Sequence, residues 1–155
     1  MALLKIEKAG APVLKKKCEP IQKIDGKIRG FLDDMAETMY QFDGIGLAAP
    51  QVGRSICAVV IDIGEGKLLE LINPKITERE GVSLDSEGCL SVPGMFGEVE
   101  RSSTVTVDYM TRYGKRRTLE ASGLLARCIQ HELDHLNGIL FIDIAKSLRQ
   151  ENAEI

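Results

Sequence analysis

Histidine is scarce in this 155-residue chain, which has only two. Chemistry that needs imidazole is therefore confined to the one stretch that holds both. Long apolar runs are missing too. The opening one is broken at Lys5, and none approaches the ~20 residues of a membrane-spanning helix, so a cytoplasmic protein with no membrane attachment is expected. The four cysteines, Cys18, Cys57, Cys89 and Cys128, form no CxxC pair, which fits free thiols in a reducing compartment. No segment is repeated at a fixed period or low in complexity. A net charge of −3 and a pI near 5.5 argue against a nucleic-acid binder held by bulk electrostatics, and Lys15 to Lys17 and Arg116-Arg117 read as solvated faces. What remains is ordinary globular composition, 44% hydrophobic and 28% charged. The length suits a single domain, 1–155, with its own core.

The two histidines stand four apart in QHELDHL, Gln130 to Leu136. On a helix that spacing puts both on one face, and with Glu132 between them they form HExxH: two imidazoles aimed at one metal ion beside a carboxylate able to move protons. Counting ~100° per residue from His131, the residues Leu124, His135, Cys128 and Glu132 share its face, within about 100°. Leu125, Ile129, Leu133 and Leu136 make a second, purely apolar stripe at about 120° to 200°. One stripe anchors the helix; the other sets the metal residues beside Leu124 and Cys128, which could line an apolar pocket. Arg127, at about −40°, is expected at the pocket rim.

Along the chain, residues 1 to 23 read as an irregular arm broken by Pro12 and Pro20. The spacing of Ile28, Leu32, Met35 and Met39 predicts a helix over 25–40, capped by Asp25. Ser55 to Ile63 and Lys67 to Asn73 read as strands, the second stopping at Pro74, with a short strand near 75–78 and little regularity up to 98. Thr104 to Thr111 and Lys115 to Ala121 predict a β-hairpin. The HExxH helix spans Ser122 to Asn137, with Gly138 as its left-handed stop. ILFID reads as a short strand and 145–151 as a final helical turn. Without βαβ alternation the class is α+β.

A catalytic tetrahedral centre needs a third protein ligand and one open position. The HExxHxxGxxH pattern is ruled out, because its last position is Phe141. Glu151 and Glu154 lie in the tail. Cys89, in EGCLS after Gly88, is a better candidate because thiolate is a strong ligand where backbone can bend close; Cys128, one turn before His131, stays open. The stretch GIGLAAPQVG contains GxGxxA at Gly44, Gly46 and Ala49, but a helix precedes it, Pro50 interrupts it and a strand follows, so the dinucleotide reading fails. Its glycines suit close approach of backbone to a ligand, and Gln51 offers a carboxamide that can donate to a developing oxyanion.

GIGLAAPQ at 44–51, EGCLS at 87–91 and QHELDHLNG at 130–138 together resemble, in order, the three signature motifs of the peptide deformylase family. The weaker PVLKK near Lys15 and the spacing between motifs are similar as well. The resemblance implies mixed β-sheets packed around a central HExxH helix, and one metal ion held by Cys89, His131 and His135. That ion is natively Fe2+, with Zn2+ or Ni2+ able to substitute. It implies removal of the N-formyl group from the initiator N-formylmethionine of new polypeptides, releasing formate: a metal-activated water attacks the formyl carbon, with Glu132 as general base and acid. The Gln51 side chain and Leu90 backbone N–H would stabilise the oxyanion. Substrate would dock as an added strand beside Gly44 and Gly46, with Ile45, Leu124 and Cys128 against the methionine side chain. The partners implied are N-formylmethionyl nascent peptides. Transient ribosome contact is open, because the chain stops soon after Leu148 where some relatives extend a long basic helix.

Overall fold

The computed structural model describes residues 2–151. Glu154, one of the tail carboxylates considered as a ligand, lies outside them. Helix α1, Gly26–Gln41, begins as its sequence dictates: the Asp25 carboxylate accepts from the backbone N–H groups of Lys27 and Ile28, both at 3.1 Å, filling donors that the first turn leaves free. Its apolar stripe, Leu32, Met35 and Met39, is completely buried.

Five strands form one sheet: β1 Gly46–Ala48, β2 Ala58–Ile61, β3 Leu69–Glu80, β6 Thr104–Met110 and β7 Arg116–Ser122, in the order β1-β2-β3-β6-β7. Strand β2 explains the layering. All four of its residues are buried, and because side chains alternate across a strand, Ala58 and Val60 join the cluster under α1 while Val59 and Ile61 join the cluster under α2, Gly123–Leu136. The sheet is thus covered on both faces, and AVVI reads as a continuous apolar run for that reason. On α2 the expected stripe supplies Ile129, Leu133 and Leu136 to the core. Fully burying a side chain such as Ile129 contributes about 1.5–3 kcal/mol.

The second sheet has the order β4-β5-β8, from β4 Ser83–Cys89, β5 Val92–Arg101 and β8 Ser147–Gln150. A single helical turn, α3 Phe141–Ile144, packs Phe141 with Val92, Val99 and Leu140 against β5. The resemblance implied mixed sheets; every pairing between these strands is antiparallel, and among the described residues parallel register is confined to the isolated Glu19–Ile56 bridge.

Three local expectations are corrected. Strand β3 does not stop at Pro74 but passes through it, shifting register between Ile72 and Lys75. Asn73 adopts φ +50 there, and its carboxamide exchanges two 2.8 Å hydrogen bonds with the Ile21 backbone, which is how a bulge accommodates a residue with no N–H. The stretch up to 98, expected to have little regularity beyond a short strand near 75–78, holds most of the β4–β5 hairpin, Ser83–Cys89 and Val92–Arg101. The C-terminal elements are exchanged: α3 lies where a strand was expected and β8 where a helical turn was. The Asp143 carboxylate accepts from Leu140 N–H and starts the turn, while the free edge of β5 recruits Ser147–Gln150 as a strand.

Candidate metal centre

Helix α2 ends just beyond its second histidine. Gly138, at φ +75, donates to His135 O and Ile139 N–H to Asp134 O, the paired bonds of a left-handed stop. A Cβ on Gly138 would lie 2.5 Å from Lys15 O, so only glycine lets the N-terminal arm pass. The helix therefore presents Leu124, Cys128, His131 and Glu132 to a cavity of about 430 Å³, walled on one side by Gly44 to Gly46 and on the other by Ser86 to Leu90.

Cys89, the last residue of β4, reaches this helix from the opposite wall. Its Sγ lies 3.4 Å from His135 Nε2. The ligand atoms of Cys89, His131 and His135 all fall within 4.8 Å of one another, and they are the group of metal-binding type found among the described residues. The 3.4 Å S···N separation is close to the about 3.6 Å that bonds of ~2.3 and ~2.1 Å to one tetrahedral ion produce. Thiolate and imidazole are also the donor set that Zn2+, Fe2+ and Ni2+ accept. The residues fit a metal. Cys128, the alternative third ligand, stands apart from this group: it lines the cavity and its thiol points to Ile45 O at 3.7 Å. Glu151 instead pairs with Arg149 at 2.6 Å.

Glu87 orients the first histidine. Its Oε1 accepts from His131 Nδ1 at 2.9 Å, which leaves Nε2 as the free lone pair for an ion. The same carboxylate accepts from Arg101 twice, each at 2.9 Å, and from Arg127 at 2.7 Å. Burial alone would push the Glu87 carboxyl up, but the Arg101 and His131 hydrogen bonds outweigh it and hold it at about 2. Glu132, the other buried carboxylate, has opposite surroundings: its Oε1 has no hydrogen-bond partner. Burial, helped by the negative Glu87 and opposed by His131, pushes it up to about 7. A Cβ on Gly46 would lie 2.6 Å from Glu132 Oε2 and 2.8 Å from Cys128 Sγ, so the missing side chain at 46 is what lets β1 pass over the carboxylate.

Gln51 is fixed in one orientation. Its Oε1 accepts from Ala48 N–H at 2.9 Å, which turns the NH2 group toward Ser91 Oγ at 3.1 Å and Cys89 Sγ at 3.5 Å. Leu90 follows Cys89 at the tip of the β4–β5 hairpin and lines the same cavity. Strand β1 is the edge of its sheet, so Gly46 stands at an unpaired strand edge, with Gly44 and Ile45 just before it on the cavity wall. Leu124 and Ile45 are exposed on its walls. Apart from the tail glutamates, the candidate residues read from the sequence stand around this one cavity and the Cys89, His131 and His135 group beside it.

Glu87 and Arg101 were missed. Glu87 could have been found: two residues before Cys89, it falls on the same strand face once 83–89 is read as a strand. Nothing local pointed to Arg101. Arg127 was misplaced. It is 7% exposed, and its guanidinium turns away from the rim into the β4–β5 hairpin, because that is where an anionic partner and free carbonyls are.

The sequence matches the family model described as polypeptide deformylase over residues 3–151. It is 53% identical over 148 residues to the peptide deformylase of Carboxydothermus hydrogenoformans, an alignment covering 96% of this chain and 97% of the relative. The crystal structure of peptide deformylase from Thermotoga maritima superposes with a TM-score of 0.91 at 43% identity, covering 94% of this chain and 99% of that one. The Synechococcus elongatus peptide deformylase, solved in complex with actinonin, gives 0.90 at 47% identity over 93% of this chain and 79% of that one.

Proposed function

Since this chain belongs to the polypeptide deformylase family, we propose that Cys89, His131 and His135 hold its metal, Fe2+ in the native protein with Zn2+ or Ni2+ as substitutes, and that Glu132 carries the proton of the reaction. The reaction is the family's: water and a formylated amino terminus give formate and a free amine on a newly made polypeptide. The observation that carries the assignment is the convergence of one thiol and two imidazoles within 4.8 Å beside a buried carboxylate with an unpartnered oxygen.

The chain's own residues divide the work. When bound, the ion supplies Lewis acidity, which makes water nucleophilic near neutral pH and polarises the formyl group. Glu132, buried with one unpartnered oxygen, takes the proton from the attacking water and returns it to the departing nitrogen. The NH2 of Gln51, held by Ala48, and the Leu90 N–H donate to the oxygen as it becomes anionic. The open edge of β1 takes the substrate backbone as an added strand, and Ile45, Leu124 and Cys128 receive the methionine side chain. An apolar pocket of this kind separates side chains by only ~1–3 kcal/mol per methylene, so relatives of methionine are tolerated.

Nascent chains carry the formyl group at the ribosome, so this reading includes a cytoplasmic setting and transient ribosome contact, which co-sedimentation with ribosomes tests. No described helix is long and apolar enough to cross a membrane. The activity itself is tested by formate release from an N-formylmethionyl peptide under anaerobic conditions. One formate per peptide is expected, with the unformylated peptide left intact. Cleavage of an internal peptide bond, or no formate, would contradict the reading, and activity unaffected by prolonged air exposure would count against Fe2+.

A further inference from the structure

We propose that Arg127 is a positioning residue for the metal ligands: by gripping Glu87 and the β4–β5 hairpin, it fixes the helix that carries His131 against the strand that carries Cys89. The proposal rests on the reading that Cys89, His131 and His135 are the ligands.

Arg127 lies one helical turn before His131 on α2, and its guanidinium makes four hydrogen bonds to the other wall of the site. Nη1 donates to Glu87 Oε2 at 2.7 Å and to Val99 O at 2.8 Å. Nη2 donates to Ser83 O at 2.8 Å and to Ser83 Oγ at 3.1 Å. Three residues on two strands are thus tied to one helix position. A planar fork with several donors can do this; a lysine ammonium, a point charge on a flexible stem, cannot.

Arg101 makes the reciprocal tie. It starts from the end of β5 and reaches the helix, donating to Asp134 at 2.5 Å while its other nitrogens hold both Glu87 oxygens. His131 is therefore bracketed along α2 by Arg127 four residues before it and Asp134 three residues after it, the first tied directly and the second through Arg101 to the carboxylate that accepts its Nδ1–H. The bonds divide evenly: Oε1 takes His131 and Arg101, and Oε2 takes Arg101 and Arg127. Without Arg127, Oε2 keeps one donor, the carboxylate can swing about the Arg101 fork, and the hairpin bearing Cys89 loses its bonds to the helix at this turn. Both terminal nitrogens of Arg127 are engaged in this way, while the residue also forms part of the cavity wall.

The test compares the parent chain, Arg127→Met, which keeps a stem of similar length without donors, and Arg127→Lys, which keeps the charge without the fork. Two quantities are read: Zn2+ affinity by chelator competition, and exchange of the His131 Nδ1 proton by NMR of the zinc-loaded protein. Removing an outer partner of a metal ligand typically weakens binding ~10- to 100-fold, and Arg127 acts one bond further out. Arg127→Met is therefore expected to lose about 10-fold in Zn2+ affinity and to exchange the His131 proton faster, while Arg127→Lys recovers only part of either. Thermal midpoints of the metal-free forms separate this from general destabilisation, which would not single out the His131 proton. Parent-like affinity and proton protection in Arg127→Met would overturn the proposal. If that variant does not fold, parent-like values in Arg127→Lys would do so. A parent chain that fails to bind one Zn2+, or a Cys89→Ala variant that binds as tightly as the parent, would instead defeat the ligand assignment.

Discussion

Helix α2 faces polar surroundings on two sides, and they differ in how completely they are satisfied. Toward β4 and β5, Glu87, Arg101, Arg127, Asp134 and His131 form a closed network in which the Glu87 carboxylate receives four donors. Toward β1, Glu132 is as deeply buried as Glu87, at 4% against 7% exposure, yet one of its oxygens is orphaned. The two sites are occupied by the same residue type, and the carboxyls sit at about 2 and about 7. Neighbours alone separate them. A carboxylate with all its acceptors filled holds structure; one left desolvated and unpartnered is ready to exchange a proton.

The largest expected effect comes from breaking the cleft side at its ligand set. Cys89→Ala should weaken metal binding by more than about 100-fold, beyond the cost of losing an outer partner, and take formate release down with it; elemental analysis after dialysis checks this. Next is Gln51→Ala, which removes the proposed oxyanion donor while leaving the proposed ligands in place. It should lower kcat by ~10²- to 10³-fold with metal content unchanged.

A smaller pair of effects sharpens the contrast directly, because the two glutamates should respond to pH with opposite signs. Glu87 is lowered from 4.5 to about 2, so its ionised form supports the fold above pH ~4.5, and that support is lost as pH falls through about 2. Glu132 is raised from 4.5 to about 7, so the support tied to its neutral form is complete below pH ~4.5 and lost as pH rises through about 7. Each shift is worth about 3 kcal/mol. In urea unfolding of the metal-free protein, Glu87→Gln should cost stability near pH 6 and little near pH 2, whereas Glu132→Gln should gain stability near pH 8 and none near pH 4. The smallest effect lies away from both sides: Asp25→Ala removes the α1 cap and should cost about 1 kcal/mol without changing turnover.

The sequence disclosed the site more fully than the fold around it. The HExxH helix and its apolar stripe were legible because a helix bound to one core repeats its pattern every turn, and the 104–122 hairpin because its strands alternate around a glycine turn. Strands β4 and β5 were not legible: Gly88, Pro93, Gly94 and Gly97 break the alternation that would have revealed them. Ser147–Gln150 is a strand only because β5 offers an edge, a tertiary fact absent from its own residues. Arg127 was misplaced for a related reason. Periodicity gives the direction in which a side chain leaves the helix, not the end point of a long one, and a buried carboxylate 40 residues away drew it inward. Cys89 and Gln51 were joined to the histidines by the family resemblance, since nothing local connects positions so distant in the chain.

The claim that the unpartnered carboxylate is the one that does chemistry is tested most directly at Glu132 itself. Formate release should be measured for Glu132→Gln carrying one metal ion per chain, beside the equally loaded parent. A fall of at least ~10²-fold at full metal occupancy is expected, within the range for loss of a positioned proton-transfer group. Turnover at the parent rate would contradict it.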